Sequence, residues 1–184
     1  MKIIPTNISD VKLIVPRIFE DSRGVFSETY KNASLKEYGI DLQFIQDNRS
    51  HSRKLYTLRG LHYQIAPFAQ AKLVSVQRGR IYDVAVDLRR SSPTYGQHVS
   101  AELTAEGGEQ LLIPAGFAHG FCTLEPETTV TYKVDHPYSP AHERGLYWRT
   151  SAFDIAWPCP ADQVLLSPKD ELLPQNVEPD DCFP

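Results

Sequence analysis

Short apolar or alternating runs, separated by turn residues, recur along most of the chain. Residues 11–15 form an apolar run closed by Pro16, and residues 25–30 follow the turn Asp21-Ser22-Arg23-Gly24. Residues 57–64, 72–77 and 81–88 come next, with Arg78-Gly79 as a tight turn between the last two. Residues 99–103, 110–113, 119–124 and 128–134 complete the series, broken by Ser92-Pro93, Gly107-Gly108 and Pro114-Ala115-Gly116. Many short strands at this spacing predict an all-β sandwich or barrel. One helix is predicted near the start: Asn32 as cap, residues 33–38 as the body, Gly39 as the stop. Beyond Tyr138 the chain is rich in proline and is expected to wrap the β body irregularly, anchored by Tyr147, Trp148 and Trp157.

Composition narrows the class without changing this picture. With 184 residues, 41% hydrophobic and 23% charged, the chain reads as one domain, residues 1–184, with a substantial core. No apolar run approaches the ~18–20 residues that span a bilayer, and the N-terminus lacks the apolar core of a signal peptide. Three scattered cysteines, without C-x-x-C spacing, read as reduced thiols of a cytoplasmic protein. A net charge of −4 gives no electrostatic case for nucleic acid, so an anionic ligand would be met by local arginines and lysines.

Strand parity brings out candidate chemistry. Gly60, His62 and Gln64 share one face of their run, and Lys72 shares a face with Val74 and Val76. If both faces point inward, His62 and Lys72 converge on one cavity. Proton abstraction beside a ketone needs a base, a cation for the enolate oxygen, and an acid to return the proton. His62 is the candidate base, Lys72 the cation and Tyr132 the acid. Taken singly, each is more economically read as a packed or solvated residue. Asp83 and Asp87 are read as structural. No glycine-rich phosphate loop is present.

Order and spacing together say more than the parts. The segments Asp21-x-Arg23-Gly24-x-Phe26-x-Glu28, Gln46-Asp47-Asn48-x-Ser50 and Arg59-Gly60-Leu61-His62-Tyr63-Gln64 are followed by Gln70-Ala71-Lys72. Then come Asp83-Val84-Ala85-Val86-Asp87-Leu88-Arg89, Pro114-Ala115-Gly116-Phe117-Ala118-His119-Gly120, Tyr132-Lys133 and Leu166-Ser167-x-Lys169-Asp170. In this order they resemble the dTDP-4-dehydrorhamnose 3,5-epimerase family over most of the chain. The resemblance implies a cupin-type jelly roll (a double-stranded β-helix) without a metal or other cofactor. Metal-binding cupins hold their ion with roughly three His and one Glu, whereas here Gln64 and Lys72 occupy two of the slots, and a protonated lysine has no lone pair to donate. It implies a dTDP-4-keto-6-deoxy sugar as substrate, with His62 as base, Asp170 as its paired carboxylate, Tyr132 as acid and Lys72 at the C4 oxygen. Arg23, Glu28, Gln46, Asp47, Asn48, Arg59, His119, Glu143 and Lys169 match nucleotide-sugar contacts, and Tyr138 matches a residue that stacks on thymine. It also implies a homodimer with exchanged N-terminal strands, so that residues 23–48 would serve the neighbouring subunit's site. Two departures stand out: Arg49 replaces a usual histidine, and Trp148-Arg149-Thr150-Ser151-Ala152 replaces a Trp-Asn-Asp-Pro-type run. The rival readings are an epimerase acting at C3 or C5 alone and a metal-dependent cupin oxygenase.

Overall fold

The structure, a computed structural model, describes residues 1–178 and 181–184. In chain order the elements begin with β1 (Lys2–Pro5), β2 (Lys12–Val15), β3 (Ile18–Asp21), β4 (Gly24–Ser27), α1 (Asn32–Glu37), β5 (Gln46–Ser52), β6 (Leu58–Gln64) and β7 (Lys72–Arg78). They continue with β8 (Arg80–Asp87), β9 (His98–Thr104), β10 (Gln110–Ile113), β11 (Phe117–Thr123), β12 (Thr128–Val134), β13 (Glu143–Gly145) and α2 (Pro168–Glu171). One antiparallel sheet runs β1-β2-β10-β7-β12-β5 and a second runs β13-β6-β11-β8-β9. This is the expected cupin-type jelly roll.

Alternation decides what lies between the sheets. Val74, Val76, Ile81, Ala85, Phe117 and Val130 turn inward and form the main core with Leu111 and Ile113. On the same inward rows Lys72, Tyr132 and His62 replace aliphatic side chains, and there the space stays open as a cavity. The outer face of the second sheet is also apolar. Leu61, Tyr63, Val84, Val86, Leu88 and Ala118 are covered by Leu146, Phe153, Ile155, Trp157 and Phe183 of the proline-rich tail. The buried Cys122 and the half-buried Cys159 belong to a neighbouring cluster with Leu58 and Trp148 on this face.

Three departures from the sequence expectations each have a local reason. Helix α1 is capped by the extended Lys31, whose carbonyl accepts from the N–H groups of Ser34 and Leu35; Asn32 is already helical and its Oδ1 is buried without a partner. What holds this six-residue helix is Leu35, fully buried against Ile14, Leu73 and Leu112 and worth ~2 kcal/mol. Gly39, at φ +75°, ends it as expected. Strand β5 has no apolar alternation because it is the polar edge of its sheet, yet it pairs with β12 through all seven residues. In β6, His62 lies opposite His119 and Arg59 opposite Phe121, so Gly60 and Leu61 together face Gly120 as a bulge. The expected sharing of one face by Gly60 and His62 is thereby corrected. Arg59, His62 and Gln64 turn inward, while Leu58, Leu61 and Tyr63 turn outward.

The β3–β4 hairpin forms a two-stranded sheet of its own and leaves Val25 and Phe26 each 70% exposed. Among the described residues no helix is long and apolar enough to cross a membrane.

Candidate active site

A cavity of about 610 Å³ is lined by inward residues of β5, β6, β7, β11 and β12 and closed on one side by Tyr138, Glu143 and the start of α2. His62 stands in its wall, and its Nε2 lies 2.7 Å from Oδ1 of Asp170. An ionised carboxylate can only accept, so Nε2 carries the proton and Nδ1 keeps the lone pair. Asp170 is only 4% exposed. Burial raises its carboxyl, but the hydrogen bonds from His62 and Ser167 and the charge of Lys169 outweigh this and hold it below the usual carboxylate range.

The local sequence explains how a carboxylate from the tail arrives there. Ser167 caps α2, its Oγ accepting from the Asp170 N–H at 3.1 Å, and Pro168 supplies the preset φ of the first helical position. One helical turn is enough to lay Asp170 against His62 and to leave Lys169 on the cavity rim. The tail is mostly irregular with short turns, as expected, and this turn is helical.

Lys72 is buried and donates from Nζ to the carbonyl of His62 at 3.1 Å. Burial pulls its ammonium down to about 8, against the opposing attraction of Asp83 and Glu143. His119 lies opposite His62 in the ladder, and its Nε2 is 2.7 Å from Oδ1 of Asp83. Burial lowers the His119 imidazole despite that carboxylate, and the charges of Lys72 and His62 add to the effect. Burial keeps the Tyr132 phenol protonated, raising it further above neutrality, while Arg59 acts the other way. The cavity thus holds a His–Asp base pair, a buried ammonium, a neutral imidazole and a protonated phenol.

The rim carries most of the predicted ligand contacts. Tyr138 donates its hydroxyl to Oε2 of Glu143 at 2.6 Å, and the Lys169 ammonium binds the same oxygen. Gln46 and Asn48 are joined at 2.9 Å and line the cavity of their own chain, contrary to the expectation that this stretch serves a neighbour. Arg59 also lines it, with only long hydrogen bonds of 3.4 Å to Ser52 and the His51 carbonyl, so its guanidinium remains available to an anion. Arg23 lies outside the cavity, paired with Asp21 on the exposed hairpin. Glu28 lies outside it as well, and Asp47 pairs with Lys133 on the far side of β5. Among the described residues no group of three or more His, Cys, Asp or Glu side chains is gathered to hold a metal ion.

Comparison with known proteins bears on this geometry directly. The sequence profile of the family described as dTDP-4-dehydrorhamnose 3,5-epimerase matches residues 5–177. The chain belongs to that family. A curated dTDP-4-dehydrorhamnose 3,5-epimerase of Sinorhizobium fredii is 51% identical over 172 residues, covering 94% of this chain and 88% of its own length. A crystal structure of the Bacillus anthracis family member with TDP and PPi bound has a TM-score of 0.91 at 49% identity, covering 94% of this chain and 98% of that one. A Legionella pneumophila structure in complex with dTDP-4-keto-L-rhamnose has a TM-score of 0.93 at 41% identity, covering 99% and 97%.

Within this epimerase family framework, the reading of sequence alone left Asp83 out of the site. Its signal was present: a fully buried acid on the inward row of β8, between Ile81 and Ala85. Ser167 was visible only as part of a motif, because its role depends on a one-turn helix. Of the two departures from the family pattern, Arg49 lines the cavity as an exposed residue of β5. The run after Trp148 remains structural: Thr150 is buried and bonds to the Gln175 carbonyl, tying the tail to itself.

Proposed function

We propose that the protein epimerises dTDP-4-dehydro-6-deoxy-D-glucose at C3 and C5 to dTDP-4-dehydro-L-rhamnose without a cofactor. The observation that carries this is the His62–Asp170 pair, held at 2.7 Å in a cavity shared with Lys72 and Tyr132. The 4-ketone acidifies the hydrogens on both neighbouring carbons. Nδ1 of His62 takes the proton as the C–H bond breaks, and the electron pair moves onto the ketone oxygen as an enolate. Asp170 stabilises the imidazolium so formed, and the Lys72 ammonium stabilises the enolate oxygen. The Tyr132 phenol donates its proton to the carbon from the opposite face and is reprotonated by solvent. The enolate electron pair forms the new C–H bond as the ketone is restored, the His62 imidazolium gives its proton to solvent, and a second such cycle inverts the other carbon.

The nucleotide half is read as held by Arg59 at the diphosphate and Tyr138 at the base, with Gln46, Asn48, His119, Glu143 and Lys169 as further contacts. Arg23, Glu28 and Asp47 are assigned to the site of a second copy in a homodimer with exchanged N-terminal strands. The exposed Ile18, Phe19, Val25 and Phe26 on the β3–β4 hairpin support that assignment, because an isolated hairpin is marginal in water and such a patch invites a partner. A cytoplasmic location is part of the same reading, supported by the free thiols of all three cysteines.

The deciding experiment is proton NMR of the nucleotide sugar incubated with enzyme in deuterated water. Deuterium is expected at both C3 and C5 and is expected to vanish with His62→Ala. Near-normal exchange in that variant would sink the assignment of the base. Exchange at one carbon alone would make this a single-centre epimerase.

A further inference from the structure

We propose that Gln64 is a positioning residue that clamps the turn carrying Tyr138 and thereby sets nucleotide affinity, an inference that rests on the epimerase reading above. Gln64 closes β6 on the same face as His62 and is 4% exposed. Its amide is fully used. Nε2 donates to the carbonyls of Phe68 at 2.7 Å and Pro137 at 3.1 Å, while Oε1 accepts from the Ser139 N–H at 2.7 Å. The two partners at 137 and 139 are the peptide groups on either side of Tyr138. A side-chain amide that meets one carbonyl and one N–H in this way stands in for a rung of β-ladder, in a turn that belongs to neither sheet.

Of the side-chain bonds to the two peptide groups flanking Tyr138, the one that does not come from Gln64 is the longest. The Tyr138 N–H reaches Oε1 of Gln46 only at 3.4 Å, and the residue is 53% exposed. The third partner, Phe68, lies on the loop after β6, and its ring packs on His142 with centroids 4.6 Å apart. One buried amide therefore staples two loops, and through Tyr138 it steadies the contact to Glu143 and Lys169.

The chemistry of the position is demanding. A glutamate would set a carboxylate against two carbonyl oxygens, and a neutral histidine has one donor and one acceptor for three partners. Only a primary amide of this length satisfies all three. Nothing in this role requires Gln64 to touch the sugar.

The test uses Gln64→Met, which keeps the length and removes the amide, and Gln64→Glu, which keeps the shape and removes the donors. In ligand-free protein, hydrogen exchange at the Ser139 amide is expected to accelerate by about tenfold or more in Gln64→Met, from the loss of an otherwise closed hydrogen bond. The dissociation constant for thymidine diphosphate is expected to rise by about tenfold in both variants. KM should follow it, with kcat falling by a smaller factor. Unchanged Ser139 protection, or a fall in kcat with thymidine diphosphate affinity intact, would overturn the proposal. Failure of both variants to fold would also overturn it, by making Gln64 a residue of the fold as a whole. The exchange and binding measurements do not depend on turnover, so a wild-type protein inactive on the keto sugar would refute the epimerase reading separately.

Discussion

Replacing Lys72 with methionine is expected to abolish most activity and to raise stability, and both magnitudes follow from one buried ammonium. The ordinary lysine value is 10.5, and in the folded protein it falls to about 8. A lysine lowered on folding works against the fold wherever it stays charged. Its cost is fully present below about pH 8 and disappears as pH rises from 8 towards 10.5. At neutral pH the difference amounts to about 3 kcal/mol. Methionine fills nearly the same volume without charge but gives up the bond to the His62 carbonyl, worth about 1 kcal/mol. The net gain is about 2 kcal/mol, or roughly 4–8 °C in Tm for a chain of this size. Catalysis moves the other way, because losing a preorganised donor to a developing oxyanion costs ~10²–10³ in kcat. The assay is a thermal melt at pH 7 beside the rate of solvent deuterium uptake by the keto sugar. A lower Tm, or a kcat within tenfold of wild type, would refute the assignment of Lys72 as a buried charge held for the enolate.

Other perturbations probe separate parts of the structure. Wild-type turnover is expected to decline as pH rises through about 8, because Lys72 loses its proton there, and Lys72→Arg should displace that limb upward; an unmoved limb would assign it to another group. Asp170→Asn removes the charge that stabilises the His62 imidazolium, a loss of about 3 kcal/mol and so ~10² in kcat; single-turnover kinetics within threefold of wild type would exclude the pair. Asp87 is held at about 2 although burial raises it, because Arg89, Ser92 and Thr94 bind its carboxylate. Its folded value lies below the ordinary 3.8, so its contribution is complete above about pH 4 and is lost as pH falls towards 2. Acid unfolding of Asp87→Asn should be flatter across that window, and an identical slope would contradict the network. Gly60→Ala places a Cβ 2.6 Å from the His119 carbonyl at φ +109° and should lower Tm by roughly 10 °C; a melt unchanged from wild type would show that the bulge can relax.

The β body was legible because its strands are half-buried. Alternation such as Val74 and Val76 inward, with Ser75 and Gln77 outward, is a direct consequence of one apolar face per strand. Strand β5 was not legible because its inward face looks onto a polar cavity and its outer face onto water. Helix α2 escaped for the opposite reason. Four residues carry too little periodicity to be seen, and their purpose is to aim Asp170.

Sequence by itself determined the all-β class and the turns, since these depend on residue type and neighbours a few positions away. It also singled out His62, Lys72 and Tyr132 as candidate chemistry, and ordered motifs tied Asp170 to them by resemblance. Tertiary structure decided which of these meet. The bulge at Gly60 and Leu61 is set by close packing against Gly120, and it exchanges Gly60 for Arg59 on the cavity face. Asp170 reaches His62 from 108 residues away only because the tail folds back over the second sheet and there makes a capped turn. Asp83 belongs to the site because inward burial left His119 as its partner. Such convergence depends on which faces are buried together, a property of the packed sheets that no local stretch of the chain contains.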